Sequence, residues 1–152
     1  MALFDRFCFY YYLIHIPVTV LIDSSVVVTP VFRFQEWIID FHVATNKDIL
    51  MTSKPLWFKG FVWIELLFQL PWFVYAMVAQ HSVTWHLLNV VYGVNASLTT
   101  FACILYVIGE GPLHGLSDTE TWKLVGVYVP YVVLPLVILA GSFRRIRAST
   151  KV

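Results

Sequence analysis

A carboxylate stands in the middle of the apolar stretch from Trp57 to Tyr75, WFKGFVWIELLFQLPWFVY, and it limits this chain more than any other feature. A charged residue at the centre of a membrane helix costs about 2.5 to 3.5 kcal/mol, so Glu65 has to face the protein interior and meet a partner. Gln69 lies four residues on, on the same side of a helix and one turn away. Pro71 comes two residues later. It lacks a backbone donor and clashes with the carbonyl of Leu67, so the helix is expected to bend just past the polar pair and free backbone groups near it.

Composition identifies the solvent around this stretch. Of 152 residues, 59% are hydrophobic and 12% charged, against about 25% charged in soluble domains, which makes this a membrane protein. Four apolar segments of spanning length nearly fill the chain, at about 7–28, 57–79, 85–108 and 124–143, with a basic tail over 144–152. The expected fold is therefore all-α: a single four-transmembrane-helix bundle with Pro-kinked helices. The net charge is +1, and the basic residues cluster only at Arg144, Arg145 and Arg147, which reads as a membrane-end anchor and not as a nucleic-acid surface. Cys8 and Cys103 lie inside apolar segments and form neither a disulfide framework nor a metal motif, so they read as apolar filler. No cofactor is expected. Asp5 offsets Arg6, the first apolar run is long and no small-residue cleavage site comes after it, so the first helix is read as retained and not as a signal peptide.

The first span carries His15, Pro17 and Asp23. An aspartate near a helix end can simply mark the water interface. Against that, Val26-Val27-Val28 extends the apolar run beyond Asp23, and Glu65 supplies a second buried acid. His15 precedes Asp23 by about two turns and reads as a helix-packing residue.

Residues 29–56 form the substantial loop. Within it Phe34, Trp37, Ile38 and Phe41 fall at i, i+3, i+4 and i+7, while Arg33, Gln35, Glu36, Asp40 and His42 take other faces. That pattern describes a short amphipathic helix in the membrane interface, either a lid over the bundle or a plain interfacial helix. Pro55 is a helix-start signal. The turn from Gln80 to Thr84 is short and makes the second and third spans antiparallel neighbours. Asn95 and Thr99, with Tyr92 a turn earlier, read as interhelical hydrogen-bonding residues. Residues 109–122 read as an acidic loop. Pro130 and Pro135 imply an irregular fourth span, on which Tyr128 and Tyr131 either line a pocket or belong to an interfacial aromatic belt. Four spans put both termini on one side, and lysine and arginine counting ties between the two faces. The compact basic group after the last span favours cytosolic termini.

Asp23 and Glu65 are the two acids within spanning helices, and the topology allows their helices to be neighbours. Within hydrogen-bond reach they do not both ionise cheaply, so the pair holds one proton and titrates as a unit. The result is a buried site of about one negative charge, walled by aromatics such as Trp57, Phe61, Phe68, Trp72, Tyr128 and Tyr131. It suits a cationic amphiphile, whose amine pairs with the acid and with ring faces, or a sterol whose hydroxyl bonds to an acid or to Gln69.

The segments HIPVTVLID (15–23), KPLWFKGFVWIELLFQLPWF (54–73) and VYVPYVVLP (127–135), in this order and spacing, resemble the sigma-2 receptor branch of the EXPERA-domain family, which also contains the emopamil-binding sterol isomerases. The resemblance covers essentially the whole chain. It implies a four-helix endoplasmic-reticulum membrane protein with cytosolic termini, a homodimer, and a pocket for sterols or oxysterols and amphiphilic amines that opens laterally toward lipid. The ligand-facing acids of the family match Asp23 and Glu65, and its structurally required loop acid matches Asp48. Gln69, Thr99, Tyr128 and Tyr131 fall where relatives line the pocket. The chain departs from the mammalian branch at His42, where a tyrosine stands, and at Asn95, where a histidine stands, and its retrieval tail is reduced to RRIRASTKV. The leading expectation is a non-enzymatic sterol or amphiphile binder in sterol and lipid homeostasis, with no catalytic residue assigned. The alternatives are a Δ8–Δ7 sterol isomerase using Asp23 and Glu65 as acid and base, and an interaction or quality-control factor for mitochondrial precursors that binds a membrane-protein partner.

Overall fold

The computed structural model describes residues 3–79 and 82–149, and within them the chain is helical with no strand. Helix α1 (Leu3–Leu21) leads into a 3-10 turn, Asp23–Val26. The loop holds α2 (Arg33–Asn46) and the short α3 (Ile49–Ser53). Next come α4 (Leu56–Ile64), a π turn (Glu65–Gln69) and α5 (Leu70–Val78), which run on as one rod. Helices α6 (Val83–Glu110) and α7 (Asp118–Ser149) complete the bundle. Among the described residues, four helical stretches are long and apolar enough to cross a membrane: Leu3–Val26, Leu56–Val78, Val83–Glu110 and Asp118–Ser149. The all-α, four-span expectation holds.

The element ends differ from expectation in informative ways. The first span does not stay α-helical to Val28; it tightens into the 3-10 turn at Asp23, and Ser24 Oγ donates to the carbonyl of Val20 at 2.7 Å. The acidic loop is shorter than 109–122, because α6 runs to Glu110 and α7 starts at Asp118. There Ser117 and Glu120 form a capping box: the Ser117 N–H donates to Glu120 Oε2 (2.9 Å) and the Glu120 N–H to Ser117 Oγ (3.4 Å). Pro130 and Pro135 do not interrupt α7, and Arg144, Arg145 and Arg147 continue the helix instead of forming a loose tail. Residues 150–152 of that tail, and Gln80 and His81 of the short turn, lie outside the described residues.

Packing rests on small side chains and buried aromatics. Helices α6 and α7 are the most extensively packed pair, and α1 lies against α5. Gly93 lets α6 lie close against α7: a Cβ there would lie 2.7 Å from the Pro135 carbonyl oxygen and 2.7 Å from Leu139 Cβ. One core, with Tyr12, Phe73, Trp85, Tyr92 and Ile138, fills the end of the bundle nearest the termini. A second, with Val26, Leu50, Phe58, Val62, Val107 and Leu124, fills the end capped by the loops. At the first end Asp5, almost fully buried, pairs with Arg145 at 3.1 Å, and the guanidinium lies over the Phe4 ring.

Helix α2 turns Phe34, Trp37 and Phe41 outward and packs Ile39 and Val43 onto the second core. Its C-terminal end is tied to α7 by Lys47–Glu120 (2.5 Å) and by Lys123 Nζ donating to the carbonyl of Thr45. An outward aromatic row held against the end of an apolar bundle is the geometry of an interfacial helix.

Candidate functional site

The segment around Glu65 takes its shape from Pro71. With no N–H at residue 71, the helix cannot make the ordinary bond to the carbonyl of Leu67, and the strain is taken up just upstream, where the Leu70 N–H reaches back five residues to the carbonyl of Glu65. The bend expected past the polar pair is therefore a π turn that contains it. One extra residue in a turn rotates α4 about the rod axis relative to α5. Glu65 and Gln69 both remain inward, at the two ends of the insertion.

Inside the bundle lies a cavity of about 230 Å³. Asp23, Glu65, Gln69, Thr99, Tyr128 and Tyr131, the six residues singled out as ligand-facing, all lie on its wall. Asp23 and Glu65 stand together on that wall, near enough for their carboxyl groups to interact. Two carboxyl groups so placed in an apolar interior do not both ionise cheaply. Thr19 Oγ1 donates to Glu65 Oε1 at 2.6 Å. His15 Nε2 stands 3.9 Å from the same oxygen, and its ring lies between those of Phe73 and Tyr131. Gln69 Nε2 donates to Asn95 Oδ1 at 2.8 Å, an interhelical bond of the kind anticipated. Thr99 differs: its hydroxyl bonds back to the carbonyls of Asn95 and Ala96 on its own helix.

Asp48 organises the loop end of the cavity. Its Oδ1 accepts from the Leu50 and Met51 N–H groups and so caps α3, while its Oδ2 accepts from the Tyr128 hydroxyl (2.9 Å) and meets His42 Nε2 at 3.1 Å. Side chains from α2 and α7 and backbone donors from α3 thus converge on a single buried carboxyl group. Lys54 Nζ donates to the carbonyl of Ser25 at 2.8 Å and ties the start of the second span to the 3-10 turn that carries Asp23.

Several expectations need correction. Among the expected aromatic walls, Phe61, Tyr128 and Tyr131 line this cavity, whereas Trp72 packs in the core, Trp57 lines a separate crevice and Phe68 lines neither. His15 is a cavity residue beside Glu65 and not a plain packing residue; Cys103 is buried in the second core, as expected of filler, where that core borders the cavity. Tyr11 and Phe58 of the wall, and Thr19 that holds Glu65, were missed, whereas Tyr92 makes the interhelical bond expected of it and also lines the cavity. Tyr11 and Tyr92 join hydroxyl to hydroxyl at 2.6 Å across α1 and α6, and Tyr12 donates to Asn89 Oδ1. For the polar ones, the only signal in the sequence is polarity inside an apolar span. Pro135 serves packing, its carbonyl meeting α6 at Gly93. Among the described residues no three His, Cys, Asp or Glu side chains converge as a metal site.

These features define a class: a multi-pass helical membrane protein with an acid pair inside its bundle. Residues 34–142 match the family described as EXPERA (EXPanded EBP superfamily). The chain is 34% identical over 149 residues to the Efficient mitochondria targeting-associated protein 19 of Saccharomyces cerevisiae, covering 87% of this chain and 92% of the yeast protein. It is 33% identical over 141 residues to the Sigma intracellular receptor 2 of Xenopus tropicalis, covering 86% and 82%, and 32% identical over 153 residues to the human protein of that name, covering 88% and 84%. The chain belongs to the EXPERA family, in its sigma-2 receptor branch.

Proposed function

We propose that this protein is a non-enzymatic receptor or carrier of the endoplasmic-reticulum membrane, both termini cytosolic, that binds sterols or cationic amphiphiles in the Asp23–Glu65 cavity and acts in sterol and lipid homeostasis as a homodimer. The observation that carries the proposal is the pair of acids, Asp23 and Glu65, side by side on the wall of an intramembrane cavity faced by Tyr11, His15, Phe61, Tyr128 and Tyr131. An ammonium group there would gain a carboxylate and ring faces in a medium that weakens neither. A sterol hydroxyl would instead hydrogen-bond to one of the acids. At about 230 Å³ the cavity is smaller than the roughly 300–1,000 Å³ that encloses a drug-sized ligand, so an amphiphile would be held by its head with its tail toward the bilayer.

A second reading, a factor in mitochondrial precursor targeting, is favoured by the 34% identity that spans 92% of the yeast protein with that name. The two are compatible if the cavity regulates a partner-binding surface.

The test is to incubate the purified protein in nanodiscs with a Δ8 sterol and to measure by mass spectrometry both retention and double-bond position, with Asp23→Asn as control. Specific retention of unchanged sterol, weakened in the variant, supports the receptor reading. Appearance of the Δ7 isomer overturns it in favour of an isomerase, with Asp23 and Glu65 as acid and base. Absence of retention, with a precursor-targeting defect on deletion, overturns it in favour of the interaction factor.

A further inference from the structure

A second crevice opens between α4 and α6, lined by Trp57, Phe61, Ala102, Leu105, Tyr106, Gly109 and Glu110. Three of these side chains form an aromatic corner. The Trp57 ring stands edge-on to Tyr106 at 5.2 Å and to Phe61 at 5.4 Å between centroids. Tyr106 is steadied from its other side by His114, whose Nε2 lies 3.5 Å from the phenol oxygen. Glu110 completes the wall. It is half-buried, and among the described residues it makes no ion pair or hydrogen bond through its side chain.

Glu110 is also the last residue of α6, where unsatisfied carbonyls leave the negative end of a 28-residue helix dipole. Trp57 is the second residue of α4. Because the two spans run antiparallel, the start of one and the end of the other share one membrane face, at the depth of lipid head groups. Ring faces, an uncommitted carboxylate and a helix C-terminus all favour the same charge. They select a diffuse cation, whose small desolvation cost lets it sit against rings, over a strongly hydrated one.

We propose that this crevice is a binding site for the quaternary ammonium head group of a choline phospholipid from the surrounding bilayer, separate from the acid-pair cavity. Glu110 supplies the counter-charge, Trp57 and Tyr106 the ring faces, and the acyl chains run down the outer surface beside Ala102 and Leu105. Phe61 borders both spaces, so its ring is the partition between the lipid site and the interior cavity.

Native mass spectrometry of the detergent-solubilised protein, titrated with phosphatidylcholine and with phosphatidylglycerol of identical chains, tests this directly. The expected result is a preference for phosphatidylcholine that falls about five- to tenfold in Glu110→Gln and in Tyr106→Leu, and is kept in Trp57→Phe, which retains a ring. Asp23→Asn leaves the preference unchanged, which separates this site from the cavity reading. Short-chain phosphatidylcholine competes, whereas tetramethylammonium at the same concentration does not. The proposal is overturned if Glu110→Gln and Tyr106→Leu, with thermal unfolding like that of the parent protein, bind phosphatidylcholine unchanged. It is also overturned if both lipids bind equally, or if tetramethylammonium alone displaces the lipid.

Discussion

The Tyr128 hydroxyl donates to Asp48 Oδ2 at 2.9 Å, and so a residue of the fourth span is clasped to the acid that caps a five-residue helix in the first loop. The same oxygen meets His42 of α2, and all three side chains border the interior cavity. The loop is therefore part of the cavity wall and not a separate cover. Asp48→Ala removes the cap and leaves Tyr128 without its acceptor, and should destabilise the protein by about 2 to 4 kcal/mol. Tyr128→Phe should cost about 1 kcal/mol. A double-mutant cycle by thermal unfolding in detergent should give less than the sum of the two, because both break one bond.

Neutralising its two members separately and together tests the acid pair. In Asp23→Asn an amide can still donate to Glu65, so the fold should persist, but the unit charge is then carried by Glu65 alone. Glu65→Gln with Asp23 intact is the complementary change. Affinity for a cationic amphiphile should fall at least about tenfold in the double variant Asp23→Asn/Glu65→Gln, while a neutral sterol loses less, because only the cation depends on the charge. Radioligand binding against both ligand types reads this out.

Thr19 holds Glu65 through one short bond of 2.6 Å. Thr19→Val keeps the shape and removes the donor, so Glu65 is free to turn. Amphiphile affinity should weaken about three- to tenfold, consistent with about 1 kcal/mol for one hydrogen bond, with little change in unfolding temperature. A loss of stability without a loss of affinity would mean that the bond serves only packing.

Two glycines should respond oppositely to alanine. At Gly93 the added methyl collides with the Pro135 carbonyl and Leu139, so Gly93→Ala forces α6 from α7 and should cost about 1 to 3 kcal/mol. At Gly60 nothing lies within 4 Å, so Gly60→Ala should stabilise by up to about 1 kcal/mol through helix propensity alone. Thermal unfolding of both variants in one detergent decides the matter.

Pro71→Ala restores the N–H that the π turn accommodates. The segment is then free to relax to an uninterrupted α-helix, which rotates Glu65 relative to α5. Ligand affinity should fall while helix content by circular dichroism holds or rises. Unchanged affinity would show that the turn is held by packing and not by the proline.

Much of the site is legible in the sequence because membrane physics leaves few options for polar groups in apolar helices. Asp23, Glu65 and Gln69 have to face inward, and four spans with short connections bring their helices together. His15, Thr19, Tyr11 and Tyr92 obey the same rule, yet nothing in their spacing assigns them to the cavity. Whether a polar residue meets the cavity or a neighbouring helix depends on the rotation of each helix about its own axis, which one chain's spacing does not encode. The π turn illustrates this: Pro71 signals an irregularity, but only packing within the bundle selects insertion of a residue over a kink. Trp57 and Trp72 fall away from the cavity for the same reason, because aromatic residues on the two sides of the turn no longer share one face.

The loop ends differ from expectation because charge does not mark a boundary in this chain. Asp118, Glu120 and Arg145 are charged yet helical, each held by a partner elsewhere in the chain or by the helix end it stabilises. Hydrophobicity and the cost of burying charge determined, from the sequence alone, that this chain spans a membrane four times and that its intramembrane acids turn inward. Only the tertiary structure decided which side chains meet them: the contacts of Thr19 with Glu65, Tyr128 with Asp48 and Gly93 with Pro135 each join residues far apart in the chain, and their geometry is set by how the helices rotate and pack together.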